Sequence, residues 1–333
     1  MMLGILFFIF FTADLLLGSV IIPVSQVFRV LTFSPEAGEV FRTIIMDFRM
    51  PKAITAVFTG AALSLSGLQM QTVFRNPLAG PYVLGISAGA SLGVALFVLG
   101  FSSVAAIGFF SATGAWSLAL VAWAGSFLVM MLVLYVSVRV NDIMTLLILG
   151  ILFTSAVTSV VSILQYFSSE SMLKAFIIWT MGSLGSVTKS QLAVMVPATI
   201  AGIILAFFKV KDLNAFLLGE DYARSLGVSI KRSRILIFLS TSLLAGTITA
   251  FCGPIGFIGI AVPHICRVLF KTANHLVLVP AVILTGSVVM LVSDIISQLP
   301  GMQTTLPINS VTALIGIPVI IWMIVKNRKF ASV

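Results

Sequence analysis

Apolar residues in this chain run in ten stretches, each long enough or nearly so to cross a lipid bilayer, and the few charged residues gather between them. Spanning about 30 Å of hydrocarbon takes roughly 20 apolar residues wound as a helix, because lipid offers backbone N–H and C=O groups no partner and the segment must satisfy them itself. The stretches lie at approximately 3–22, 50–71, 82–101, 114–137, 143–166, 190–208, 233–252, 255–271, 275–297 and 309–326. Hydrophobic residues make up 59% of the 333 positions and charged residues 9%. That exceeds the roughly 45–50% apolar usage of soluble domains and excludes a water-soluble core. The expected fold is all-α and polytopic, a single membrane domain over residues 1–333 with about ten transmembrane helices.

The first stretch lacks a basic leader and a small-residue cleavage site, so it reads as a retained span, with the true start site left open upstream. The eighth is the least regular, because Gly253-Pro254, Gly256, Gly259 and Pro263 would break a helix in water. Membrane helices tolerate such residues where neighbours satisfy the freed backbone. With the N-terminus inside, 13 of the 19 Lys and Arg residues fall on the inner side, Arg328 and Lys329 among them. The other 6, Arg29, Arg42, Arg49, Lys52, Lys174 and Lys189, fall outside. An excess of Lys and Arg marks the cytoplasmic side, so both termini are expected there. The net charge of +9 is thus a topology signal first, and nucleic acid is not an expected partner.

Catalytic and cofactor signatures are missing from the sequence. There is no G-x-x-x-x-G-K-[ST] phosphate loop, H-E-x-x-H, G-x-S-x-G or calcium-loop pattern, so the chain is not expected to be an enzyme or to drive transport with ATP itself. Cys252 and Cys266 stand fourteen residues apart in apolar surroundings and read as packing residues. His264 and His275, eleven apart, fit neither a metal pair nor a nucleophile's base. Asp14 and Asp294 are the only acidic residues within apolar stretches. A buried carboxylate costs roughly 2.5–3.5 kcal/mol at a membrane helix centre and can flag an ion pathway. Both lie toward helix ends, and neither is expected to sit with a second acidic residue in a deep cluster, which favours polar contacts at those ends over an ion-coupled carrier.

Small residues mark helix contacts. Gly60, Ser64 and Gly67 share a face of the second stretch, and Gly85, Gly89 and Gly93 a face of the third. Such faces let backbones approach where lipid supplies no hydrophobic drive between helices. Arg49 and Lys52 flank Met50-Pro51 at the mouth of the second stretch, three residues apart and so on one helical face. If exposed, that face could receive carboxylates of an external partner; the competing reading is interfacial snorkelling. The longest polar segment is Lys209–Arg234. Asp212 to Asn214 signals a helix start within it, and Gly219 and Gly227 are plausible stops. A short helical pair outside the bilayer would make a docking surface, and an ordinary polar loop is the alternative.

Taken in order, several segments resemble one family, the FecCD-type permeases of bacterial ABC importers for iron–siderophore complexes, haem and cobalamin. They are Phe48-Arg49-Met50-Pro51-Lys52, the run from Gly60 to Gly67, Arg75-Asn76-Pro77-Leu78-Ala79-Gly80-Pro81, and Leu84 to Ala90. Further on come Leu218 to Gly227, Gly256 to His264, and Leu306 to Gly316. The resemblance implies a type II ABC importer permease in the bacterial inner membrane. Its implied partners are a second permease subunit, in a homodimer or with a close relative, a cytoplasmic ABC ATPase that carries ATP and Mg, and an external substrate-binding protein. No cofactor is expected on this chain.

The resemblance also carries residue roles. Gly219, Glu220, Asp221, Ala223, Arg224, Leu226 and Gly227, within a cytoplasmic segment at about 209–232, match the coupling helices that seat in the ATPase. Arg49 and Lys52 match basic positions that meet acidic residues of the binding protein in the cobalamin importer. A third such position falls on Gln298 here, so docking is expected to use fewer ion pairs or to recruit Lys174 or Lys189. Asn76 and Leu78, with Ile143 and Met144, match the cytoplasmic gate, where they would close the path sterically. An iron chelate is the expected cargo and cobalamin the near alternative. A secondary carrier of another fold is the more distant one, because no mid-membrane carboxylate cluster is visible.

Overall fold

The structure, a computed structural model, describes residues 2–18, 20, 22–32, 34, 38–100, 114, 116–140, 142–298 and 304–326. Arg328, Lys329 and residue 101 lie outside the described residues. Among the described residues all the regular structure is helical: α1 (Met2–Leu16), α2 (Val24–Leu31), α3 (Glu39–Val73), α4 (Ile86–Gly100), α5 (Trp116–Arg139), α6 (Ile143–Tyr166) and α7 (Glu170–Thr180). Then follow α8 (Lys189–Phe208), α9 (Val210–Phe216), α10 (Glu220–Ser225), α11 (Ile230–Cys252), α12 (Ile258–Phe270), α13 (His275–Gln298) and α14 (Ile308–Lys326). Among the described residues seven helices are long and apolar enough to cross a membrane, α3, α5, α6, α8, α11, α13 and α14, and three shorter apolar ones, α1, α4 and α12, pack among them. The ten apolar stretches are therefore ten helices of unequal length.

Three expected spans are shorter than the apolar runs that suggested them. The run at 3–22 is helical only to Leu16, where Arg49 reaches in and its Nη1 donates to the Leu15 carbonyl at 2.7 Å. That contact satisfies a carbonyl left orphaned at the helix end, where a cation also suits the helix dipole. The run at 82–101 opens with a 3-10 turn, Pro81–Leu84, and Gly85 follows with φ +77°, so Gly85 belongs to a turn and not to the α4 face. The run at 255–271 becomes helical only at Ile258. Ahead of it the Ile255 N–H donates to the Tyr82 hydroxyl (3.3 Å) and the Gly256 N–H to Asn309 Oδ1 (2.9 Å), which makes non-helical backbone tolerable at this depth. α7, between the fifth and sixth runs, is a helix that the hydropathy pattern did not mark out.

The core forms around α3. In its most apolar window 83% of residues are buried, against 22% in α6, 28% in α14 and 33% in α8, which form the periphery. From Thr59 to Val73 every α3 residue is buried, polar ones included. Thr55, Ser64 and Thr72 return their hydroxyls to the carbonyls of Pro51, Gly60 and Leu68, so these side chains satisfy themselves along the helix. Gln69, also fully buried, donates to Ser240 Oγ (3.0 Å) and accepts from Thr241 Oγ1 (2.9 Å), which ties α3 to α11.

Close crossings occur where the glycines are. A Cβ on Gly60 would collide with the Gly286 carbonyl of α13, one on Gly67 with the Gly259 carbonyl of α12, and those on Gly89 and Gly93 with α5 at Gly125, Val129 and Val121. Ser64 Oγ lies 2.7 Å from the Val282 carbonyl as well as from that of Gly60, so its one hydrogen is shared across the first crossing. Cys252 and Cys266 are free and buried, 2% and 0% exposed. Neither thiol is expected to react with a water-soluble maleimide in the folded protein, and both should react once it is denatured. Fast labelling of the native protein would contradict this packing.

Candidate functional sites at the two ends of the bundle

At one end of the bundle α1, α3 and α13 meet in a buried polar cluster. Asp14 is 2% exposed, Asp294 1% and Arg49 8%. Lys52 Nζ lies 2.9 Å from Asp294 Oδ1. The Gln298 amide nitrogen donates to Asp14 Oδ1 (3.1 Å) and to Asp294 Oδ2 (2.9 Å), so one side chain joins both acids. Arg49 donates to the carbonyls of Leu15 and Val20. Two expectations are corrected here. Asp14 and Asp294 do sit together, 280 residues apart in the chain, because α1 and α13 pack side by side. Arg49 and Lys52 do not form a free exposed face: burial in a membrane protein demands partners, and both cations have them within the chain.

A cavity of about 420 Å³ opens over this cluster, lined among others by Asp47, Phe48, Arg49, Lys52, Gly185 and Gln298. Lys52 keeps 19% of its side chain accessible there. On the rim, exposed Lys189 pairs with exposed Asp47, linking the start of α8 to α3. Lys174 is exposed on α7.

The other end carries the polar segment. Its first helix, α9, begins at Val210, ahead of Asp212, so Asp212 is not a cap but an inward anchor that accepts from Lys209 Nζ (2.9 Å) and Ser233 Oγ (2.5 Å). Gly219 (φ +104°) and Gly227 (φ +83°) flank α10 in backbone conformations that favour glycine. Glu220 turns inward and is held by Arg234 through Nε–Oε1 at 2.9 Å and two Nη2 contacts at 2.5 Å. Ala223 is fully buried, while Asp221 and Arg224 are exposed. Leu218, Tyr222 and Leu226 are 63%, 52% and 59% exposed. Tyr222 and Leu226, four apart along α10 and its last turn, share a face, and Leu218 adds exposed apolar surface just ahead of Gly219.

Beside this segment lie the loop of Asn76 and Leu78 and the start of α6. Asn76 Oδ1 accepts from the Leu78 N–H at 2.9 Å, which leaves Leu78 44% exposed. Asp142 caps α6, accepting from the N–H groups of Met144 (3.2 Å) and Thr145 (2.9 Å) and from the Thr145 hydroxyl (2.6 Å). The Thr145 hydroxyl, then those N–H groups and the charge of Arg234, hold the Asp142 carboxyl below the usual carboxylate range. Ile143 is half-buried and Met144 53% exposed. Both histidines are embedded in the bundle. The ring of His275 meets Thr72 Oγ1 (2.8 Å) and Asn214 Oδ1 (2.9 Å), and that of His264 packs edge-on against Trp322.

The profile of the FecCD transport family matches residues 5–326. The chain belongs to this family. It is 33% identical over 331 residues to an ABC transporter permease protein of Methanocaldococcus jannaschii, covering 96% of this chain and 93% of that one. To the vitamin B12 import system permease protein BtuC of Salmonella typhi it is 35% identical over 292 residues, 88% of this chain and 86% of the relative. Among solved structures, a metal-chelate type ABC transporter in an inward-facing conformation superposes with a TM-score of 0.84 at 28% identity, covering 97% of each chain. PsaBC of Streptococcus pneumoniae shares the fold alone, with a TM-score of 0.53 at 14% identity.

As a FecCD permease the chain is the multi-pass membrane subunit of an ABC importer, and the family works with a separate ATPase and a substrate-binding protein. In this permease the site residues legible from sequence separate into two kinds. Gly219, Glu220, Ala223 and Gly227 shape and anchor the polar segment, whereas Asp221, Arg224 and Leu226 face out. Leu218 and Tyr222 were not singled out, although large apolar residues within the most polar stretch of the chain are a signal that could have found them.

Proposed function

We propose that this permease carries an iron chelate, a ferric siderophore or haem, inward across the bacterial inner membrane, as one of two identical subunits with both termini cytoplasmic. The observation that carries the reading is the likeness over 97% of both chains to a metal-chelate type transporter. Cobalamin is the second reading, supported by the 35% identity to a vitamin B12 import permease.

The α10 end would face the cytoplasm. There the exposed apolar residues Leu218, Tyr222 and Leu226, with Asp221 and Arg224, would seat in the ATPase, which binds ATP and Mg. The cavity over Lys52 and Gln298 would face the binding protein. Lys52 would offer its accessible edge, Lys189 a second cation, and Arg49 the support beneath. Leu78 and Met144, both exposed, would meet their counterparts across the subunit pair and close the path. Exposed Ser155, Thr158, Ser159 and Ser162 on α6 make a hydroxyl face that suits a hydrated path between two copies better than lipid. Work comes from the ATPase binding one permease state more tightly than the other.

Proteoliposomes holding this chain with its cognate ATPase and binding protein test the reading by ATP-dependent uptake of labelled ferric siderophore, haem and cobalamin. Uptake of an iron ligand alone is the expected result. Cobalamin alone would move the assignment to the second reading, and uptake driven by an ion gradient without an ATPase would remove the importer reading.

A further inference from the structure

α10 is a helix of six residues between two glycines, and little but side-chain contact fixes its direction. Gly219 and Gly227 both have positive φ, and nothing lies within 4 Å of where a Cβ on Gly227 would be. A force applied to the exposed apolar residues would turn such a helix about its glycines unless something tied it to the bundle. Ala223 seats α10 on the core by a single buried methyl, and two neighbouring residues in the first turns of α11 supply the polar ties. Ser233 holds α9 through Asp212. Arg234, its side chain 5% exposed, holds α10 through a two-pronged contact with Glu220, the geometry in which a guanidinium grips a carboxylate most firmly.

The start of α6 meets the same junction through the core: Leu146 of α6, Ala223 of α10 and Ile230 of α11 are buried in one apolar cluster, against which Ile143 packs. Arg234 therefore ties α10, through Glu220, to α11 beside the cluster where α10, α11 and the start of α6 converge. α11 in turn runs the depth of the bundle against α3, α5 and α8. At its far end the Cys252 carbonyl accepts from the Ser183 N–H at 2.8 Å.

We propose that Arg234 is the positioning residue through which displacement of α10 reaches α11 and the gate end of α6, with Glu220 as its grip on α10. This rests on the reading of α10 as the ATPase contact. The pair does not bind the ATPase: it makes the segment that does move as one body with two membrane helices. Were the grip released, the ATPase would still seat and hydrolyse ATP, but its stroke would turn α10 about Gly219 and Gly227 without moving α6.

The test uses the complete complex in proteoliposomes with Glu220→Gln, Arg234→Lys and the exchange Glu220→Arg with Arg234→Glu. Arg234→Lys keeps the charge and loses the fork, so it remains informative if the others fold poorly. Both single variants are expected to assemble with the ATPase and keep its basal hydrolysis, while substrate moved per ATP falls at least about fivefold, the low end of ordinary coupling effects. The exchange should recover part of that loss. Spin labels on Ser225→Cys, exposed on α10 but outside the residues that seat in the ATPase, and on Met144→Cys add a readout that a merely structural role would not move. With Glu220 and Arg234 intact, ATP should shift both labels; with Glu220→Gln it should shift only the one on α10. Unchanged transport per ATP, or both labels still moving together in Glu220→Gln, would overturn the proposal. If ATP moves neither label with the pair intact, the reading of α10 as the ATPase contact fails instead.

Discussion

Replacing Gly67 with valine is expected to abolish accumulation of folded permease, and alanine at the same position to lower its melting temperature sharply. The reason is where the first added carbon goes. A Cβ there falls on the backbone of α12, 2.5 Å from the Gly259 carbonyl carbon and 2.6 Å from its Cα, and closer still to the carbonyl oxygen. A flexible side chain could swing aside, but backbone in a packed helix cannot, so α3 and α12 must separate. Separation costs more here than in a soluble core, because between helices in lipid close packing and hydrogen bonds supply the attraction that burial from water supplies elsewhere. Alanine should cost about 3 kcal/mol, the upper end of ordinary overpacking, and valine more. Gly4, with nothing within 4 Å of its Cβ position, is the control, and alanine there should be neutral or slightly stabilising. Yield of monodisperse protein and melting in detergent measure both. Gly67→Val melting with the unaltered protein would mean that the crossing is not tight.

Such crossings were legible as small residues at helical spacing, since glycine is the residue that lets backbones touch. α6 was legible residue for residue at 143–166, because its signals are local: an apolar run with Asp142 as cap. What could not be read is where apolar runs stop being helical inside the bundle. α1 ends at Leu16 where a guanidinium 34 residues away takes the Leu15 carbonyl, and the backbone before α12 is satisfied by Tyr82 and Asn309, both distant in sequence. A partner that arrives by tertiary packing leaves no mark in the run it satisfies. The same holds for charge. Glu220 sits in a polar segment and looked like a group for an external partner, yet it is spent on Arg234, and Arg49 and Lys52 likewise looked free. Exposure, not residue type, separates a docking charge from a structural one, and a single sequence does not display exposure.

Asp294→Ala is expected to be among the most destabilising single charge removals in the permease. Asp294 is 1% exposed and holds both Lys52 and Gln298, so its loss leaves an ammonium and an amide short of an acceptor at the junction of α1, α3 and α13. Breaking a buried pair by removing one partner costs about 3–5 kcal/mol, and the partial access of Lys52 to the cavity places the expected effect near about 3 kcal/mol. The exposed Lys189–Asp47 pair gives the contrast, with side chains 59% and 48% accessible. Asp47→Ala should cost about 0–1 kcal/mol, since water replaces what the partner supplied. Removing both charges in Lys52→Met with Asp294→Leu should restore most of the stability lost in Asp294→Ala, because the penalty comes from the charge left alone and not from the absence of a pair. Melting followed by a thiol-reactive dye suits the measurement, as Cys252 and Cys266 are buried until the bundle opens. A double variant as unstable as the sum of the two singles would mean that Lys52 and Asp294 act independently, and the pair would then not be what joins α3 to α13 at this end.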